Sequence, residues 1–175
     1  NKNLSIICFN EKQWIGNGLI IPAGPLRESL SALQRANCVI INGNKNIDIE
    51  NTILEHNKEV KIFYTKYLPQ NIGEFKNKKI TAFAGIGNPE NFFNLLKNYN
   101  IDLKTTIRFP DHYNYNKNEL INLIDGAKRD NTVLLTTEKD YYRINKNFRK
   151  EINFLKVVVN IKDKDQFIGE IKKIL

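Results

Sequence analysis

His112 is one of only two histidines in the chain, and it stands beside a carboxylate in the run Phe109-Pro110-Asp111-His112-Tyr113. An imidazole titrates near neutrality, so such a histidine can take or give a proton, and a neighbouring carboxylate can orient it. Adjacent residues on an extended segment point to opposite sides, so Asp111 need not face His112. The run equally suits a strand-end histidine bonded only to its own loop. A second candidate is Arg27-Glu28, which closes a Gly/Pro-rich stretch running from Gly16 through Asn17, Gly18, Pro22 and Gly24 to Pro25. Glycine admits positive φ and close backbone approach, and proline sets the direction of the chain. A rigid loop of this kind can present a guanidinium to a phosphate and a carboxylate to a metal or an amide. It can also be a plain crossover with a surface ion pair.

Two further clusters complete the set. Glu138, Lys139 and Asp140 follow the apolar run Leu134-Leu135 and two threonines. Charges after a buried strand lie where function often lies in α/β proteins, and they also suit an ordinary helix start. Gly85-Ile86-Gly87-Asn88-Pro89-Glu90 resembles a phosphate-binding turn at a helix N-terminus. It lacks the third glycine of a dinucleotide fingerprint, and no G-x-x-x-x-G-K-[ST] loop occurs in these residues.

The elements that must carry these clusters alternate. Short apolar runs predict strands over Leu4–Phe9, Cys38–Asn42, part of Lys58–Tyr67, Ile80–Ala84, Leu103–Phe109, Thr132–Thr136 and Phe154–Ile161. Helices are expected over Ser29–Arg35, after Pro89, over Asn118–Arg129 and over Asp163–Leu175. Asn88 reads as a cap, Pro89 as the first helical residue and Glu90 as a partner of the positive helix end. Phe92, Phe93, Leu95 and Leu96 then give one apolar face. Strand–helix alternation predicts an α/β fold with a mainly parallel sheet covered on both faces. Ligands of such sheets bind outside the carboxyl ends of the strands, where three of the clusters fall.

Composition narrows the function classes. At 41% hydrophobic and 26% charged residues, the chain of 175 residues can build an ordinary core. Cys8 and Cys38 sit in apolar runs and read as small buried hydrophobes, and no Cys/His spacing suits zinc. No apolar run approaches the roughly 20 residues that span a bilayer. The chain begins Asn-Lys-Asn, contains no Met, and reads as an internal or trimmed fragment, with a processed secreted protein as the alternative that unpaired buried cysteines disfavour. A net charge of +8 draws nucleic acid, anionic lipid or phosphorylated substrates without choosing among them. A basic α/β module that binds a phosphometabolite or RNA without catalysis is the competing reading. A different nucleotide-dependent transferase is a third.

Taken in order, Gly16–Glu28 (GNGLIIPAGPLRE), Ala82–Phe93 (AFAGIGNPENFF), Phe109–Tyr115 (FPDHYNY) and Leu134–Asp140 (LLTTEKD) resemble the tetraacyldisaccharide 4'-kinase family along nearly the whole chain. The resemblance implies two α/β/α lobes related to P-loop kinases. It implies transfer of the ATP γ-phosphate to the 4'-hydroxyl of tetraacyldisaccharide 1-phosphate, giving lipid IVA in lipid A biosynthesis. It implies Mg2+, a lipid A disaccharide precursor as partner, and the cytoplasmic face of the bacterial inner membrane with its anionic surface. Neither nucleic acid nor an obligate protein partner is expected. The family's phosphate loop is not in these residues, so ATP and Mg2+ are expected mainly on an upstream lobe, and this stretch alone is expected to be inactive. Residues 1–28 then read as the end of the first lobe, and 29–175 as the second. By resemblance His112 and Arg27 are catalytic. Asn17, Arg27, Glu28, Asp111, Glu138, Lys139 and Asp140 bind substrate or phosphate, and Glu28 is a candidate metal ligand. The sequence departs from the family's pattern in three places: Asn10 where an acidic residue is common, Tyr113 where a second histidine is common, and Arg143 where a lysine is usual.

Overall fold

The computed structural model describes residues 4–174, and its chain divides into two compact units. One runs up to Leu68 and resumes at Val159; the other is Pro69–Val158. The units meet at 68/69 and 158/159, and position 28/29 falls inside the first of them. The reason is strand pairing: β1 (Ile6–Asn10) lies in parallel register with β2 (Cys38–Asn42), so the first residues belong to the same sheet as those after 29.

In the first unit the sheet order is β1-β2-β3-β8, with β3 at Lys61–Pro69 and β8 at Val157–Ile161. Register aligns Ile7, Val39 and Ile62 in one row and Phe9, Ile41 and Tyr64 in the next. These rows share a face and pack against Ile49 and Ile53 of α1 (Ile47–His56) and Leu33 of a 3-10 helix at Leu30–Arg35. On the opposite face Phe63 meets Phe167 of α5 (Lys164–Ile174) at 5.1 Å between centroids. Burying side chains of this size is worth roughly 1.5–3 kcal/mol each. Only one face of the edge strand β1 enters the core, so Ile6 and Cys8 are exposed, against the expectation of a buried strand. Both cysteines are free thiols, and Cys38 is buried as expected.

The second unit is a four-stranded, all-parallel sheet in the order β5-β4-β6-β7. Its strands are β4 (Lys79–Ala84), β5 (Asp102–Arg108), β6 (Val133–Thr137) and β7 (Asn153–Leu155). The expected strand over Phe154–Ile161 is thus two strands, β7 and β8, interrupted at Lys156. Strand side chains alternate faces. Ile80, Ala82, Ala84 and Leu135 pack with Phe92, Phe93 and Leu96 of α2 (Pro89–Asn98). Phe83 and Leu134 pack with Leu120, Ile124 and Ala127 of α3 (Lys117–Arg129). The two helices therefore cover opposite faces, and the unit is a three-layer α/β/α sandwich. From β4 the chain passes by α2 to β5 on one side, then returns by α3 to β6 on the other. That reversal puts a topological switch point at the carboxyl ends of β4 and β6.

Candidate active site

Three of the four sequence clusters meet at that switch point. β4 ends in Ala84 and delivers Gly85; β6 ends in Thr137 and delivers α4 (Glu138–Arg143). The Thr137 hydroxyl oxygen accepts from the Asp140 N–H at 3.1 Å, capping α4 and turning the chain sharply after the strand. This turn buries Asp140 completely, with 0% of its side chain exposed. Its Oδ2 accepts from the Gly85 N–H at 3.0 Å and from the Thr137 hydroxyl at 2.7 Å. Arg143, one helical turn on, sets Nη1 3.5 Å from Asp140 Oδ1 and donates from Nη1 to the Gly85 carbonyl at 3.1 Å. Pairing of this kind is what makes a buried carboxylate tolerable.

The His112 loop closes over Gly85. The His112 N–H donates to the Gly85 carbonyl at 3.2 Å and to Asp111 Oδ1 at 2.9 Å. His112 itself adopts φ of +60°, a left-handed conformation uncommon for a non-glycine residue, and the surroundings must hold it there. Tyr113 donates its hydroxyl proton to Glu119 Oε1 at 2.5 Å, and Glu119 also forms a capping box with Asn116 at the start of α3. Tyr115 stands edge-on to Phe83 at 5.5 Å and to Phe109 at 5.1 Å. Its phenol is pushed well above the ordinary tyrosine range, first by burial and then by the negative charge of Asp140. Hydrogen bonding to Tyr113 holds Glu119 below the usual carboxylate range. The imidazole, with 70% of its side chain exposed, therefore projects from a clamped loop. Arg143 Nη2 lies 2.9 Å from His112 Nδ1. His112 Nε2 is 3.7 Å from Asp111 Oδ2, beyond hydrogen-bond reach.

Glu138 is partly buried and Lys139 exposed, and neither joins this network among the described contacts. Asn88 occupies the cap position of α2 but makes no capping bond with its side chain, contrary to expectation; Pro89 and Glu90 fill their expected places, with Glu90 paired to Arg108 at 2.5 Å. The Arg143–His112 contact was not expected from the sequence. The spacing of Asp140 and Arg143, three residues apart after a Thr-x-x-Asp cap, is the one signal that could have found it.

In the first unit, a groove of about 860 Å³ beside β1 is lined by Asn10, Trp14, Leu26, Arg27, Glu28 and Arg35, among others. Asn17 shapes the loop that leads to it: its Nδ2 donates to the Ala23 carbonyl at 2.8 Å and its Oδ1 accepts from the Leu19 N–H at 3.1 Å. Gly24 is obligatory there, because a Cβ would stand 2.3 Å from the Leu19 carbonyl oxygen. Glu28 pairs with Arg35. Arg27 is exposed in the groove, and no ion pair is described for it. Asn10 caps its own turn, accepting from the Lys12 N–H at 3.0 Å and the Gln13 N–H at 3.2 Å. Among the described residues no group of three or more His, Cys, Asp or Glu side chains could hold a metal.

The family model for tetraacyldisaccharide-1-P 4'-kinase matches residues 1–175. The chain belongs to the tetraacyldisaccharide 4'-kinase family. It is 38% identical over 175 residues to the tetraacyldisaccharide 4'-kinase of Pelagibacter ubique, covering 98% of this chain and 56% of that protein. It is 38% identical over 165 residues to that of Rickettsia akari, covering 94% and 50%, and 40% identical over 145 residues to that of Rickettsia bellii, covering 82% and 44%. The chain thus spans about half the length of the curated relatives it matches. No solved structure matches it. Family membership agrees with the α/β architecture and with the four motifs, three of which the second unit gathers at one end of its sheet.

Proposed function

We propose that these residues form part of an ATP-dependent kinase that phosphorylates the 4'-hydroxyl of tetraacyldisaccharide 1-phosphate in lipid A biosynthesis. The observation that carries the reading is the match of the whole stretch to the kinase family, together with a clamped histidine at the carboxyl ends of β4, β5 and β6. Phosphoryl transfer depends on positioning and charge neutralisation more than on covalent chemistry. In this reading His112 orients the sugar hydroxyl, and Arg27 neutralises negative charge on the transferred group. Asn17 holds the Arg27 loop in shape, while Glu28, Asp111, Glu138 and Lys139 contribute charge near the phosphates. ATP and Mg2+ take their main ligands from the part of the full-length protein outside these residues. The basic surface suits the anionic cytoplasmic face of the inner membrane. No helix among the described residues is long and apolar enough to cross a membrane.

The test is steady-state kinetics of the full-length kinase. His112→Ala lowers kcat by roughly 100-fold or more with little change in the KM for ATP, the range expected for a lost general acid–base or orienting group. Arg27→Ala lowers kcat/KM by a comparable factor. Wild-type kinetics in both variants would reject these roles, and turnover by residues 1–175 alone would reject the placement of the main ATP and Mg2+ ligands outside them.

A further inference from the structure

We propose that Arg143 is a positioning residue that locks the His112 imidazole into the tautomer carrying its proton on Nε2, with buried Asp140 holding Arg143 in place. The inference rests on the proposed kinase reading for its consequence, but the geometry stands independently.

A guanidinium has five donors and no acceptor. Arg143 Nη2, 2.9 Å from His112 Nδ1, can only donate to it. A neutral imidazole has one donor and one acceptor nitrogen, so Nδ1 supplies the lone pair and the ring proton resides on Nε2. Nε2–H is then the free donor of the ring, since Asp111 Oδ2 at 3.7 Å is too distant to engage it. A histidine held this way donates a hydrogen bond to an oxygen in front of it; it does not collect a proton at that atom. His112 therefore acts by orienting an oxygen, which narrows the sequence expectation of a histidine that takes or gives a proton.

Arg143 is mostly buried and held from several directions, with Asp140 Oδ1 meeting it as an ion pair and making no hydrogen bond of its own. Only 21% of it is exposed, and its guanidinium is committed to three groups: the Gly85 carbonyl at 3.1 Å, His112 Nδ1 at 2.9 Å and Asp140 Oδ1 at 3.5 Å. The same Gly85 carbonyl accepts from the His112 N–H, so the backbone and the ring of His112 are referenced to one peptide. Asp140 fixes the preceding peptide, on the other side of the Gly85 Cα, through the Gly85 N–H. A fully buried carboxylate costs desolvation energy that an apolar side chain of similar volume would not. Its return here is a guanidinium with one orientation, pinned at i,i+3 on α4.

The experiment uses the full-length kinase labelled with 15N-histidine, with His112→Asn to assign the His112 signals. Wild type is expected to show an unprotonated Nδ1 and a protonated Nε2. Arg143→Met removes the donor and is expected to give averaged tautomers, with kcat reduced roughly 10–100-fold at nearly constant KM for ATP. Arg143→Lys restores a cationic donor and is expected to recover the wild-type nitrogen signature and kcat to within roughly 10-fold. Asp140→Asn, which keeps the shape, is expected to shift the signature partway toward that of Arg143→Met. A protonated Nδ1 in the wild type would overturn the proposal. So would an Arg143→Met protein that melts earlier but keeps both the nitrogen signature and kcat, since that is the behaviour of a merely structural arginine. An unchanged kcat in His112→Ala would reject the kinase role of the histidine while leaving the tautomer result intact, so the two failures are distinguishable.

Discussion

Gly85→Ala is the smallest change that tests whether the three motifs of the second unit depend on one another. The backbone of Gly85 does not occupy the left-handed region, so alanine meets no conformational penalty and the effect is steric. An added Cβ would stand 2.8 Å from the Tyr115 hydroxyl, 3.1 Å from Tyr113 Cβ and 3.2 Å from the Pro110 carbonyl. Tyr115 is held edge-on by Phe83 and Phe109, and Tyr113 by Glu119, so neither swings away freely. The loop must lift as a body. Overpacking of one methyl group in such a site costs about 1–3 kcal/mol. At about 2–4 °C per kcal/mol for a protein of this size, the melting temperature falls by roughly 2–12 °C. Lifting the loop also stretches the bond from the His112 N–H to the Gly85 carbonyl, so kcat of the full-length kinase drops by about 10-fold or more. Gly87→Ala is the control. Its Cβ would stand 3.3 Å from Asp111 Oδ2, the end of a carboxylate that can rotate, and its stability cost stays within about 0.5 kcal/mol. Thermal unfolding and kinetics of both variants decide the matter. Equal behaviour of the two, or a neutral Gly85→Ala, would refute the view that the loop rests on that glycine.

Two further outcomes follow from the same network. Thr137→Ala removes the cap of α4 and one of the two hydrogen bonds to Asp140 Oδ2, and lowers stability by about 2–3 kcal/mol, whereas Thr137→Ser retains both contacts; indistinguishable urea midpoints for the two variants would contradict this. Glu119 has its folded-state acidity strengthened by Tyr113 and Asn116, so its stabilising contribution is full above its ordinary value of 4.5 and is lost as pH falls through the lower folded value. The stability difference between wild type and Glu119→Gln should accordingly shrink as the solution is acidified from pH 6, and a difference that grows on acidification would show the sign to be wrong.

Much of this arrangement is legible in the residues, and the part that is not has a physical reason. β4 and the start of α2 follow from an apolar run that ends in Gly-Ile-Gly-Asn-Pro-Glu, because proline tolerates only the first turn of a helix. α1 has no counterpart among the expected elements, although Asn46 accepts from the Asp48 and Ile49 N–H groups and Ile49 and Ile53 recur at helical spacing. Its two buried isoleucines are too few to rise above the polar residues between them. Cys8 misleads in the opposite way: an apolar run predicts burial, but strand order decides it, and β1 is an edge strand. Asp140 is the sharpest case. Its cluster suits an ordinary helix start, and although the arginine three residues on is a local signal, nothing local says that the pair will be buried. Its burial follows from three facts that only the fold joins: the cap at Thr137, the arrival of Gly85 from a strand 55 residues earlier, and the arginine at i,i+3. Removing any one leaves a charge or a peptide group buried without its partner. The acidic, glycine and histidine motifs are therefore one unit, in which the first two set the peptide that the third hangs from.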